Sequence, residues 1–105
     1  MNETKRLVFA GLARNCAHAL PSLLKAVEHL GSLCDDWGYV FLENNSVDRT
    51  ARRLQRFDKA HGRGIVRCLG DLDREIPLRT QRLALLRNLC LETIFNDRRL
   101  ASFEF

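Results

Sequence analysis

The sequence predicts an α/β fold, a parallel sheet with helices packed on both of its faces. Three observations carry this. Short apolar runs rich in branched and aromatic residues alternate with longer segments of helical period, in the order β-α-β-α-β-α. The strand-like runs are nearly continuous in apolar character, as expected where both faces are covered. Each strand-like run also ends in a polar cluster that opens the next helix.

The first strand is read over 5–14, with "LVFAGLA" at its centre. A helix is expected over 18–30. Its apolar residues Leu20, Leu23, Leu24, Val27 and Leu30 fall at helical spacing, Pro21 fits a first turn, and Gly31 serves as a stop. "WGYVFLE", Trp37 to Glu43, is the second strand, with Trp37 as a core anchor. A second helix over 47–61 follows, with Ser46 as its cap, Asp48 in its first turn, Leu54 and Phe57 inward, and "HGRG" ending it. Ile65 to Leu69 is a short third strand. "GDLDREIPLR" then reads as a long connection. The strongest helical pattern occupies 80–96, with Leu83, Leu86, Cys90 and Ile94 on one stripe and Leu85 and Leu89 widening it.

The 105 residues make one domain, and 46% hydrophobic with 29% charged residues is an ordinary globular composition. No apolar run approaches the roughly 18 residues of a membrane-spanning helix. The N-terminus lacks a signal-peptide core. Four cysteines without C-x-x-C or zinc spacing are expected to be reduced, mostly buried thiols of a cytoplasmic protein. His18, His29 and His61 have no partner spacing and read as surface or helix-end residues. The net charge of +4 is uneven: residues 1–48 hold four basic and six acidic side chains, residues 49–105 thirteen and seven. Nearly all the basic residues are arginine, which favours bidentate contact with phosphate or carboxylate. Basic residues are not interleaved with aromatics and no nucleic-acid motif is present, so nucleic acid is not the expected partner.

In parallel sheets ligands bind beyond the carboxyl ends of the strands. Three polar clusters are expected there: Arg14-Asn15 after the first strand, "ENNSVD" (Glu43 to Asp48) after the second, and the 70–79 segment with Arg79 and Arg82 beyond the third. Together they offer acceptors for a base or ribose and cations for a diphosphate. Neither G-x-G-x-x-G nor a Walker A motif occurs, which removes the usual dinucleotide and P-loop readings.

"ENNSVDRT" after a strand resembles the "D-x-x-S-x-D-x-T" signature of GT-A-fold glycosyltransferases, with Glu43 where aspartate is commoner. "ARNCAHALPSLL" resembles that family's opening segment, and "RTQRLALLRNLCL" its arginine-bearing helix. The combination is most similar to the capsule-type α-1,3-mannosyltransferase branch and covers residues 5–95. The resemblance implies a three-layer α-β-α Rossmann-like unit with strand order 3-2-1, an incomplete GT-A fold, forming one nucleotide-sugar-binding domain over 1–105. It implies a nucleotide-sugar donor as partner, with Ala13 and Arg14 at the base and Glu43 on the nucleoside. Asn45, Ser46 and Asp48 would shape the same wall, Arg79 or Arg82 would meet base or phosphate, and Arg87 with Asn88 would back the pocket.

The family also uses an Asp-x-Asp motif at the end of a fourth strand to hold Mn or Mg against the donor diphosphate. "DLD" at Asp71 to Asp73 stands one unit too early for it. "SFEF", residues 102–105, reads as the start of that fourth strand. The expectation is therefore an N-terminal portion of a larger transferase, inactive alone, with no catalytic residue and no metal ligand in this chain. With the fourth strand missing, the first strand would be an open apolar edge prone to self-association. The competing reading is a non-catalytic α/β binding or interaction module of flavodoxin-like topology.

Overall fold

A computed structural model describes residues 5–103. Strands β1 (Arg6–Ala13), β2 (Asp36–Glu43) and β3 (Ile65–Cys68) form a parallel sheet in the order β1-β2-β3. The register pairs Arg6 with Asp36 through Ala13 with Glu43, and Val40 with Ile65 through Glu43 with Cys68. Helices α1 (Leu20–Ser32), α2 (Thr50–His61), α3 (Leu72–Glu75) and α4 (Arg79–Asn96) connect and cover the strands, and a 3-10 turn spans Leu100–Ser102. No helix among the described residues is long and apolar enough to cross a membrane.

β2 is the axis of the core, buried from Trp37 to Glu43. Strand side chains alternate between faces, and β2 feeds two separate clusters. Trp37, Tyr39 and Phe41 pack with Leu20, Leu24 and Val27 of α1 and Leu54 and Phe57 of α2. Val40 and Leu42 pack on the other face with Val8, Leu86, Cys90, Ile94, Leu100 and Phe103. The first cluster is largely aromatic: Tyr39 stacks on Phe41 at 5.2 Å, and Phe57 meets Tyr39 edge-on at 5.2 Å. The Tyr39 hydroxyl donates to Asp58, so this polar group at the cluster's margin is satisfied.

Several elements differ from the sequence reading. β1 stands at the sheet edge as expected, but it is not covered on both faces, and Ala10 and Leu12 are exposed. α1 starts at Leu20, and Gly31 lies inside it rather than ending it. A Cβ at Gly31 would sit 2.5 Å from the Trp37 ring, so glycine is required by close packing. Leu23 and Leu30 face outward while Leu20, Leu24 and Val27 face the sheet. α2 begins at Thr50, and Gly62 ends it in the left-handed region at φ 62°. The long connection contains α3, capped by Asp71, which accepts from the Arg74 amide at 3.2 Å. Leu83 is only half-buried and Leu85 is exposed. Of the cysteines only Cys90 is buried; Cys16 and Cys34 are half-buried and Cys68 is exposed. His61 is more than a helix-end residue: it packs on Phe57 and Trp37 and lies 3.0 Å from Glu28. Of the expected fourth-strand start, 102–105, Ser102 ends the 3-10 turn Leu100–Ser102 and Phe103 is buried in the core, while Glu104 and Phe105 lie outside the described residues.

Candidate functional site

The parallel register brings the carboxyl ends of all three strands to one rim. Both longer strands end two residues before a left-handed asparagine, Asn15 at φ 48° and Asn45 at φ 54°. Asparagine tolerates this region better than other non-glycine residues because its short amide bonds the local backbone. Each does so across loops. Asn15 Oδ1 accepts from the Val47 amide at 2.7 Å. Asn45 Oδ1 accepts from the Leu72 and Asp73 amides at 2.9 and 3.3 Å.

The polar knot after β2 is the mortar of this rim. Three successive amides of the β1–α1 loop donate to three of its side chains. Asn15 N–H reaches Ser46 Oγ at 3.0 Å, Cys16 N–H reaches Thr50 Oγ1 at 2.9 Å, and Ala17 N–H reaches Asp48 Oδ2 at 3.1 Å. Asp48 Oδ1 also accepts from the Thr50 amide at 3.0 Å, so Asp48 and not Ser46 holds the start of α2. The Thr50 hydroxyl and these amides keep the Asp48 carboxyl below its usual range. Glu43 is buried and accepts from the Ser46 amide at 2.9 Å. Period-two alternation turns Glu43 toward the face of Phe41, while Asn44 turns toward the face of Leu42.

Beside the knot lies a cleft of about 360 Å³, lined by Leu12, Ala13, Arg14, Asn44, Arg79, Arg82, Leu83 and Leu86. Arg14 grips Asp73 with both terminal nitrogens, at 2.9 and 2.6 Å. Arg82 Nε lies 3.0 Å from Asp73 Oδ1, and its Nη1 donates to the Ile76 and Pro77 carbonyls at 2.9 and 2.6 Å. Hydrogen bonding from Arg14, and the charges of Arg14 and Arg82, hold the Asp73 carboxyl below its usual range. Arg79 opens α4 and is exposed, and its guanidinium has no hydrogen-bond or ion-pair partner among the described residues. A cation in a first helical turn opposes the helix dipole, a cost that an anion in the cleft would offset. Asn44 is buried; its amide nitrogen donates to Asn45 Oδ1 at 2.7 Å and its backbone N–H to the Ala13 carbonyl at 3.2 Å.

Of the ten residues expected from the sequence, Ala13, Arg14, Arg79 and Arg82 meet in the cleft. Glu43, Asn45, Ser46 and Asp48 stand beside it, and their side chains hydrogen-bond the amides of the loops. Arg87 lines a separate groove with Ala10, Gly11, Leu12, Cys90 and Leu91, and Asn88 is exposed on α4 away from both. Asn44, Leu12, Leu83 and Leu86 line the cleft without having been expected as site residues; for Asn44 the signal was its shared parity with Leu42.

Asp71 and Asp73 do not fit a divalent metal. Asp71 caps α3 and accepts from the Asn45 amide group, and Asp73 is neutralised by two arginines. Among the described residues no group of three or more His, Cys, Asp or Glu side chains could hold such an ion. Comparison with protein families, with curated proteins and with solved structures found no match.

Proposed function

We propose that the cleft binds the diphosphate of a nucleotide-sugar donor, and that the chain is the donor-binding portion of a glycosyltransferase resembling GT-A hexosyltransferases, of mannosyltransferase type. The observation that carries this is Arg79, an unpaired guanidinium at the start of a long helix and at the mouth of a cleft on the carboxyl-end rim. Arg14 and Arg82 add positive charge against the single carboxylate of Asp73. Leu12, Leu83 and Leu86 supply an apolar wall for a base or ribose face, and Asn44 a hydrogen-bonding edge. The divalent ion of such enzymes would have to be held by groups other than those described here.

The test is calorimetric titration with GDP, UDP, GDP-mannose and inorganic pyrophosphate, each with and without Mn or Mg. Binding of a nucleoside diphosphate is expected, and Arg79→Ala is expected to weaken it about tenfold, the loss of one charge-assisted hydrogen bond. Absence of binding by all four compounds overturns the reading.

A second reading, an anion- or nucleotide-binding α/β module without transfer chemistry, is favoured by the engagement of both Asp71 and Asp73 in structural contacts. Nucleotide binding without release of sugar from GDP-mannose in the presence of metal would select it. In either reading the open β1 edge is also a surface for self-association.

A further inference from the structure

We propose that two copies of this chain pair through β1, antiparallel and about a two-fold axis, into one continuous sheet running β3-β2-β1-β1-β2-β3. The Lys5 and Ala13 carbonyls accept from amides on the β2 side. In a parallel ladder alternate residues bond the same neighbour. Residues 5, 7, 9, 11 and 13 therefore serve β2. The N–H and C=O groups of Arg6, Val8, Ala10 and Leu12 point to the open edge, where no further strand lies among the described residues. The groups of a strand edge specify a strand as occupant.

The layers above and below the edge are apolar as well. The side of α1 facing α2 carries Pro21, Lys25 and Glu28. α2 packs on β2 and β3, so the opposite side of α1, with Leu23 and Leu30, lies toward β1. Those leucines are 53% and 49% exposed. On the other face, α4 turns Leu89, Thr93 and Asn96 toward β3, and Arg87 and Leu91 toward Ala10 and Leu12. Leu91 is 38% exposed. An eight-residue edge with apolar flanks on both layers, and without proline, bulge or lysine along it, lacks the usual devices that keep edges apart.

Charge selects the second copy and its direction. β1 contains one charged residue, Arg6, at its start. A parallel in-register partner would set two Arg6 side by side. An antiparallel copy sends them to opposite ends and pairs the four free edge residues reciprocally. It also runs the two α4 helices antiparallel, bringing Arg87 of each toward the carbonyl end of the other, a favourable dipole contact. A two-fold closes, so the product is a dimer and not a filament.

Donor binding and pairing are read separately: titration reports on the cleft, sedimentation on the edge. Sedimentation equilibrium of the 105-residue chain is expected to show monomer and dimer. Hydrogen exchange should slow at the Val8, Ala10 and Leu12 amides as concentration rises, with Phe9 and Gly11 unchanged. Ala10→Pro, which removes an edge donor, and Leu91→Glu should each weaken association at least tenfold. Circular dichroism checks folding, and if Ala10→Pro unfolds, Leu91→Glu decides alone. Monomer at every concentration, a dimer indifferent to Leu91→Glu, or open-ended aggregates in place of a dimer overturn the proposal.

Discussion

Arg14 and Asp73 form a two-point ion pair, at 2.9 and 2.6 Å, across 59 positions of sequence. It ties the loop after β1 to α3, and Arg82 shares the same carboxylate from α4. One acidic side chain thus sets the orientation of two of the three cleft arginines.

Asp73→Asn should release both guanidiniums toward the cleft. Pyrophosphate should bind more tightly to this variant than to the parent, while its melting temperature falls. Calorimetry and a thermal melt check the two effects; weaker pyrophosphate binding would show that the pair orders the cleft more than it restrains its charge.

Acid should loosen the rim. The Asp48 and Asp73 carboxyls are held below their ordinary value of 3.8, chiefly by hydrogen bonds from Thr50 and from Arg14. Asp36, between Arg63 and Arg99, is depressed too: desolvation pushes it up more than any single contact pulls it down, but the hydrogen bonds from Arg99 and the Trp37 amide, with the charges of Arg99 and Arg63, together outweigh it. A carboxylate with a depressed folded pKa binds fewer protons folded than unfolded below that ordinary value. Its contribution is complete above pH 3.8 and is lost as pH falls through the depressed value. Denaturant midpoints measured from pH 6 downward should therefore decline most steeply below about pH 4.

Asn45 performs two tasks that substitution separates. Asn45→Ala loses the acceptor for the Leu72 and Asp73 amides and puts a Cβ-bearing residue without a helpful amide at φ 54°. A cost of roughly 1–3 kcal/mol is expected. Asn45→Gly keeps the backbone conformation and should cost less. Urea denaturation of both variants checks the order; equal losses would mean that only the hydrogen bonds matter.

Gly31→Ala should destabilise by about 1–3 kcal/mol, because the new methyl meets the Trp37 ring. Trp37 is the single tryptophan, so its fluorescence during urea unfolding reports both the stability and the displaced ring. An unchanged midpoint would show that the ring moves aside freely.

The sequence by itself determined the alternation of strands and helices, and with it the parallel sheet. Apolar period is a local property, readable wherever an element buries one stripe or both faces. β2 was legible in this way, as were the stripe Leu86, Cys90, Ile94 on α4 and the convergence of Ala13, Arg14, Arg79 and Arg82, since strand ends in a parallel sheet must share a rim. Tertiary structure decided the rest. Leu23 and Leu30 match the helical period as well as Leu20 and Val27 do, but only the positions of α2 and of the β1 edge settle which leucines are covered. Glu43 and Asp48 look like ligand groups because loops of such polarity often are. Their partners are amides about 30 residues away or on a loop turn whose shape no local pattern encodes. Arg87 stands in the same helix as Arg79 and Arg82 and has the same chemistry, yet α4 carries it past the rim to the open side of β1. Composition names the groups that could hold a phosphate; the crossing of α4 over β1 determines which of them reach the cleft.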